Sequence, residues 1–193
     1  MNERVLMGKL RIAGKDKGWV YEQAPLLCKV TAPGKPTKAY DDFSRQVIQA
    51  VLEIQKNEAG AKIIEKFKAI KFVVDILPAV GGGFFMPNCK HEGSLMYEIP
   101  RGEDTVGGII VWDPVSPFTH SNTADNSPTT YPTWLILAHE IGHAIQLGET
   151  TGSGSGWLDK YVANMEAVEM DNISRHETPI VKSLSLKPRV RYR

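Results

Sequence analysis

The apolar positions in the first third of the chain follow two different spacings. Between residues 4 and 31, short apolar runs are interrupted by glycine and proline, which predicts short strands. Asp41 and Asp42 then provide the cap of a helix that should end near Asn57, and Gly60 should separate it from a second helix. The apolar positions of the two helices are Val47, Ile48, Val51, Leu52, Ile54, Ile63, Ile64, Phe67 and Ile70. Stripes of this kind are typical of a protein core.

Strands and a long loop are predicted for the middle of the chain. Residues 72–77 and 105–112 are rich in β-branched side chains, which favours strands. The glycines at 81–83 lack the lysine and serine or threonine of a phosphate-binding loop, so they predict a flexible turn. Residues 113–133 are polar and have no periodicity. Long loops of this kind in a compact domain often carry function.

Two helices are predicted for the last third of the chain. The first should begin around Pro132 and Thr133, with Thr133 as its cap, and end near Gly148. A glycine-rich segment at 152–156 follows, and it predicts a flexible connection. The last helix should cover about 157–175, with a kink or a break.

The helix predicted from Thr133 carries the most informative motif of the chain, because it is apolar nearly all round and contains a His-Glu-x-x-His sequence. Residues four apart share one face of a helix, so His139 and His143 should direct two imidazoles to one point, as the first two ligands of a tetrahedral zinc ion require. Glu140 should act as general base on a water molecule rather than bind the metal. Burial of these three side chains would be costly without a metal or other partners.

A catalytic zinc site needs a third protein ligand. The metzincin pattern expects glycine and histidine three and six positions after His143, where this chain has Gln146 and Glu149, so Glu149 is a minor candidate. A carboxylate from the last helix fits better. Glu166 lies twenty-three positions after His143, which leaves room for a loop and an antiparallel return, and it is the preferred ligand. Glu169 remains the alternative, either as ligand or as a partner of a ligating histidine.

Further residues are candidates for supporting roles. Asp171 and Asn172 could hold the ligands in place, and the donors that could stabilise a developing oxyanion are Tyr131, Tyr161 and His176. The strand at 105–112 could be a sheet edge on which an extended peptide pairs, whereas its two glycines could equally form a bulge.

Composition is typical of one soluble domain that spans residues 1–193, and its catalytic core should lie at about 100–180. The chain is 42% hydrophobic, and its 23 basic residues against 22 acidic ones give no reason to expect nucleic acid as a partner. Cys28 and Cys89 are too few for a disulfide framework; two free thiols are the simpler interpretation, and one disulfide stays open. No membrane span and no Sec-type signal peptide is visible, and the basic residues 187–193 should be solvated.

Three segments resemble one known family. They are Leu137-Ala138-His139-Glu140-Ile141-Gly142-His143-Ala144, the glutamate-bearing residues 166–177, and Pro188-Arg189-x-Arg191-Tyr192. Together they are similar to the NleD-type effector zinc metallopeptidases. The resemblance implies His139, His143 and Glu166 as zinc ligands and Glu140 as the catalyst. It also implies a bacterial protein that is delivered into another cell and cuts a host protein, which for the best-known members is a signalling kinase.

The chain departs from that family at Ile141-Gly142, where leucine is usual, and a glycine inside a helix weakens it slightly. The sequence thus predicts an α+β, zincin-like fold: a small mixed or antiparallel sheet packed on the helix with the two histidines, and a second helix bearing the third ligand. It predicts a monomeric zinc metalloendopeptidase, secreted without a signal peptide, that cleaves a host protein. The alternatives are a binding module with a structural zinc ion and a zinc hydrolase acting on a non-protein amide or ester.

Overall fold

A computed structural model describes residues 10–12, 20–24, 27–31, 38–70, 72–78, 81–87, 106–150 and 155–192. The described chain is a mixed α+β structure with three small sheets. Its strands are β1 (Leu10–Ile12), β2 (Val20–Ala24), β3 (Leu27–Thr31), β4 (Val73–Pro78), β5 (Gly83–Pro87), β6 (Val106–Trp112), β7 (Phe118–His120) and β8 (Thr129–Tyr131). Its helices are α1 (Lys38–Lys56), α2 (Glu58–Ala69), α3 (Thr133–Glu149), α4 (Ser155–Ala163), α5 (Met165–Asn172), a π-helical segment (Ile173–Glu177) and α6 (Thr178–Ser183).

The largest sheet is mixed, with strand order β1-β4-β6-β5. β4 runs parallel to β1 and β6, whereas β5 runs antiparallel to β6. The sequence offers β6 as a substrate-binding edge, but β6 is hydrogen-bonded to a strand on each side, so the edge strand next to it is β5. The bulge interpretation of the β6 glycines is confirmed: the pairs Val73–Val106 and Val74–Gly108 leave Gly107 without a partner in β4.

Helix α3 lies in the centre of the described structure, in contact with α1 and α2 and with strands β5 and β6. All thirteen residues from Leu135 to Leu147 are buried, which explains why its sequence is apolar on every face. The Trp112 ring at the end of β6 packs against Phe43 of α1, and its indole Nε1–H donates to the Thr133 carbonyl at 2.8 Å. The start of α3 is therefore fixed to the end of the sheet.

Several predicted boundaries are corrected by the structure. Thr133 is the first residue of α3 rather than its cap, because the extended Pro132 occupies the cap position. Helix α1 already begins at Lys38, and Asn57 caps α2 through bonds to the amides of Ala59 and Gly60. Gly60 therefore lies inside α2 and does not separate the helices. A Cβ atom there would overlap the carbonyl oxygen of Ile54, so the tight corner between the helices explains the glycine.

The glycine turn and the polar loop contain more structure than the sequence predicted. Gly81 and Gly82 have φ angles of 83° and 98°, which favour glycine, and they lead into the unpredicted strand β5. Asp113 fixes this turn: its side chain accepts from the Gly81 amide at 2.6 Å, and its own amide donates to the Gly82 carbonyl at 2.8 Å. Strands β7 and β8 form a hairpin inside the segment predicted as a loop.

The last helix is split, as the sequence allowed. Asn164 interrupts it, and its Oδ1 accepts from the Ala167 amide at 3.0 Å to cap α5. Residues 184–192, called here the C-terminal segment, are not simply solvated as expected, because Arg189 is buried. No described helix is both long and apolar enough to cross a membrane. The part of the predicted strand region before residue 9, the glycines at 152 and 154 and the pairing of Cys28 with Cys89 lie outside what the structure describes.

Candidate metal centre

Three buried groups converge at one point between α3 and α5. The Oε2 atom of Glu169 lies 3.2 Å from Nε2 of His139 and 3.2 Å from Nε2 of His143. All three ligand atoms lie within 4.8 Å of one another, and no other such cluster occurs among the described residues. A tetrahedral ion with bonds of about 2.0 Å would separate its ligand atoms by about 3.3 Å. The cluster could therefore hold a metal ion.

The environment of His143 assigns a hydrogen to its Nδ1 atom. Its Nδ1 lies 2.9 Å from Oε1 of Gln146. The Gln146 amide is oriented by its other neighbours. Its Nε2 donates to the Val168 carbonyl at 3.1 Å and to the Asp171 carboxylate at 2.7 Å. The indole of Trp157, which can only donate, faces Oε1. Nδ1 of His143 must therefore donate, and in the neutral ring the Nε2 lone pair faces Glu169.

The environment of His139 likewise assigns a hydrogen to its Nδ1 atom. Its Nδ1 lies 3.0 Å from Oε2 of Glu177, a carboxylate that also pairs with the Arg189 guanidinium. Arg189 Nη2 lies 3.3 Å from the same Nδ1, but a guanidinium only donates, so the carboxylate must be the partner of Nδ1–H. In the neutral ring, the Nε2 lone pair of His139 therefore also faces Glu169, whereas in the imidazolium form Nε2–H donates to that carboxylate.

With both rings neutral, two lone pairs and one carboxylate oxygen would face each other in a buried site, an arrangement that needs a metal ion or a proton between them. Burial opposes a charged His139, but hydrogen bonds to Glu169 and Glu177 outweigh it and raise the pKa of the imidazole to about 9. Although burial disfavours its charged form, the two histidines hold the pKa of the Glu169 carboxyl well below its usual range. The electrostatics of the cluster therefore favour positive charge, which either a proton or a metal ion can supply.

Glu169, and not the preferred Glu166, is the carboxylate that the structure brings to the two histidines. Glu166 lies in the first turn of α5 and is exposed, where a negative charge suits the positive end of the helix dipole. Glu169 is three positions later and is 4% exposed. Its second oxygen, Oε1, accepts from the Tyr161 hydroxyl at 3.0 Å, so the carboxylate is held from both sides.

Glu140 has the surroundings expected of a general base. It is 5% exposed and lies beside the cluster, on the wall of a cavity of about 530 Å³. Burial raises the pKa of its carboxyl, and the charges of His139 and His143 oppose this only in part. Within the described parts of the chain, no residue forms a hydrogen bond with its carboxylate. The carboxylate is thus available for a proton from a molecule in the cavity.

The cavity joins the cluster to the surface along the edge strand β5. Its floor contains His139, Glu140, His143 and Glu169. Its walls are largely aromatic and apolar: Phe84, Phe85, Pro117, Phe118, Tyr131, Leu135, Ile136, Trp157, Tyr161 and Tyr192. Phe84 and Phe118 are 45% and 36% exposed, respectively. A concave apolar site with a few polar groups at its floor is the usual form of a ligand-binding pocket.

The other candidate residues lie in different places. Tyr131 lines the cavity, but its hydroxyl donates to the Lys187 carbonyl at 3.0 Å. His176 is fully buried outside the cavity, with Nδ1 2.9 Å from Asn172 Oδ1. Glu149 is exposed and pairs with Arg175.

The two residues predicted to support the ligands do contact the site. Asp171 accepts from the Gln146 amide that orients His143. Asn172 is fully buried, and its Nδ2 donates to the main-chain carbonyl of His139 at 2.9 Å. Asn172 therefore connects the helix with the third ligand to the helix with the first two.

Sequence reasoning missed the residues that fix the two tautomers. Gln146 was considered only because it is not the glycine of a metzincin, and Glu177 and Arg189 were not assigned a role at the site. A usable signal exists for Gln146, which is three positions after His143 and hence on the same helical face. No local pattern connects Glu177 or Arg189 to His139, because they reach it only through the tertiary fold.

Gly142, the glycine inside the His-Glu-x-x-His motif, has a packing role. A Cβ atom on Gly142 would overlap Oδ1 of Asn172 and lie 2.9 Å from Nδ1 of His176. We expect Gly142→Ala to lower the free energy of unfolding by about 1–3 kcal/mol through overpacking, even though alanine favours a helix by about 1 kcal/mol. Urea denaturation would measure the difference. A variant as stable as the wild type would contradict the close approach of α3 and Asn172.

Comparisons with protein-family models, curated proteins and solved structures found no significant match to this chain. No family is therefore assigned to it.

Proposed function

We propose that the protein is a zinc-dependent metallopeptidase with His139, His143 and Glu169 as its metal ligands and Glu140 as its general base. The observation that carries the proposal is the convergence of the His139 and His143 Nε2 atoms on one Glu169 carboxylate oxygen, at 3.2 Å each. Two imidazoles and one carboxylate form a ligand set typical of zinc peptidases. The mixed sheet packed on α3, with the third ligand on a second helix, supports a zincin-like arrangement.

The site suits catalysis better than a purely structural metal. Structural zinc sites are closed by four protein ligands, whereas catalytic sites keep one position open. Among the described residues, three groups form the cluster, and the cluster faces the cavity. His176 lies outside the cavity and contacts Asn172, so it does not close the site as a fourth ligand. These features favour the enzyme over the non-catalytic binding module.

The chemistry is divided between the ion and the protein. A zinc ion at the cluster would polarise a substrate carbonyl and lower the pKa of a bound water. Glu140 accepts the proton of the attacking water on its carboxylate and passes it to the nitrogen of the leaving amine. Tyr161 keeps Glu169 in place through the bond from its hydroxyl. Of the three candidate oxyanion donors, Tyr131 and Tyr161 line the cavity and His176 does not.

The form of the cavity favours a peptide over a small amide or ester. It is open along β5, whose outer edge has no partner strand in the described sheet, and an extended peptide can pair with such an edge. The exposed rings of Phe84 and Phe118 would contact apolar side chains of that peptide. The resemblance to effector peptidases extends the proposal to a secreted protein that cleaves a host protein.

Metal removal tests the proposal directly. We expect the chain to cleave members of a mixed peptide library, to lose this activity after treatment with a zinc chelator, and to recover it when one equivalent of zinc is returned. The measurement is mass spectrometry of the peptide products. Activity that survives chelation would contradict a metal-dependent reaction, and cleavage of a small ester but of no peptide would favour the alternative hydrolase.

A further inference from the structure

We propose that Arg189 is a positioning residue that keeps His139 ready to bind metal by acting through Glu177. This inference rests on the proposed metal site and goes beyond it, because it assigns the C-terminal segment a role in positioning one of the metal ligands. Arg189 itself is not proposed to bind the metal.

Arg189, Glu177 and His139 form a buried chain of contacts. Arg189 is 8% exposed and Glu177 is 1% exposed. The Arg189 guanidinium donates through Nε to Oε1 of Glu177 at 2.9 Å and through Nη2 to Oε2. It therefore binds the carboxylate through two parallel hydrogen bonds. Oε2 accepts the Nδ1–H of His139 at 3.0 Å. The position of the guanidinium thus determines where the carboxylate meets the imidazole.

The carboxylate could not hold this position alone. Without the guanidinium, Glu177 would be a buried anion that keeps only its bond to His139, in a cavity that Glu140 and Glu169 also line, and such an arrangement is strongly unfavourable. Its side chain would turn toward the water of the cavity, which it already lines. Nδ1–H of His139 would then lose its acceptor, and the ring could rotate or carry its hydrogen on Nε2. Either change removes the lone pair that faces Glu169.

The C-terminal segment holds Arg189 by bonds on both sides. Before it, the Lys187 carbonyl accepts from the Tyr131 hydroxyl at 3.0 Å. After it, the Val190 amide donates to the Asn122 carbonyl at 2.8 Å, and Asn122 Nδ2 donates to the Tyr192 carbonyl at 3.0 Å. The segment is thus attached to the polar loop and the β7–β8 hairpin. Displacement of the segment would withdraw the guanidinium from Glu177.

The test measures zinc affinity of the full chain by competition with a chromophoric chelator. We expect Arg189→Gln to weaken zinc binding about 10- to 100-fold, as loss of the outer partner of a ligating histidine typically does. Arg189→Lys should recover part of the affinity, because lysine keeps the charge but lacks the two parallel bonds. The matched control is Arg191→Gln: Arg191 lies two positions away, is exposed and donates to Asn126. It should bind zinc as the wild type does.

A second readout distinguishes positioning from loss of fold. In the zinc-loaded wild type, the Nδ1–H proton of His139 should give a downfield proton NMR signal, since it is buried in a bond to a carboxylate; Arg189→Lys should shift or broaden it. Unchanged affinity and an unchanged signal in Arg189→Lys, or equal losses in the Arg189→Gln and Arg191→Gln variants, would overturn the inference. If the wild type bound no zinc, the proposed metal site would fail as well; if it bound zinc and Arg189→Gln matched it, only this inference would fail.

Discussion

Replacement of Glu140 by glutamine should lower kcat for peptide cleavage by about 10²- to 10⁴-fold, the range that a general base contributes. Glutamine fills almost the same volume in this buried position, but its amide cannot accept the proton of the attacking water. Zinc affinity should stay at the wild-type value, because Glu140 is outside the cluster formed by His139, His143 and Glu169. Steady-state kinetics and zinc titration of the same protein preparation measure both quantities.

The matched control for that variant is Glu149→Gln. It makes the same chemical change on the same helix, at an exposed residue whose partner is Arg175. It should cleave peptides at the wild-type rate. If Glu140→Gln kept full activity with bound zinc, the site would need another base, and the proposed division of roles would be wrong.

Removal of the Glu169 carboxylate should have the largest effect on metal binding. Glu169→Ala takes away one of three ligands and leaves the two imidazoles without their shared oxygen, so zinc affinity should fall by more than the roughly 10- to 100-fold loss that outer partners cause. Glu166→Ala should leave zinc affinity unchanged, because that side chain is exposed at the start of α5. Competition titration with a chelator gives both dissociation constants.

This pair of variants also decides between the sequence and the structure. The sequence preferred Glu166 over its neighbour three positions later, and the structure places Glu169 at the histidines. A large loss in Glu166→Ala together with a small one in Glu169→Ala would mean that α5 is rotated about its axis from the described position. Equal, small losses in both would mean that neither carboxylate binds the metal.

The residues whose roles could be predicted are those whose spacing is local. His139 and His143 are four apart on one helix, so their convergence follows from helix geometry alone. The strands β4 and β6 and the apolar stripes of α1 and α2 follow from the same kind of local pattern, apart from Leu52, which the structure leaves 40% exposed. The breaks of the last helix were also expected, although the π-helical segment that carries Glu177 was not.

The remaining features depend on contacts between distant parts of the chain. The rotation of α5 about its own axis determines which of its glutamates faces α3. Asn164 and Asn172 help to fix that rotation. Strand β5 is short and follows glycines whose positive φ angles no periodicity reveals. Arg189 looked like part of a solvated basic tail, because nothing in the sequence nearby indicates that Glu177 would become its buried partner. Tertiary packing decides each of these.

Secretion, delivery into another cell and a host target stay predictions. They depend on the resemblance of the motif segments to effector peptidases, and the geometry of the site does not bear on them. A comparison of host proteins cleaved by the wild type and by the Glu140→Gln variant would identify a target and its cleavage site. No cleavage difference between the two would count against the predicted host substrate.

The most direct test of the central claim is a crystal structure of the zinc-loaded protein, with anomalous diffraction collected on both sides of the zinc absorption edge. We predict one strong anomalous peak within bonding distance of Nε2 of His139, Nε2 of His143 and a carboxylate oxygen of Glu169, with no fourth protein ligand. A peak elsewhere, a site completed by Glu166, or a closed shell of four protein ligands would contradict it.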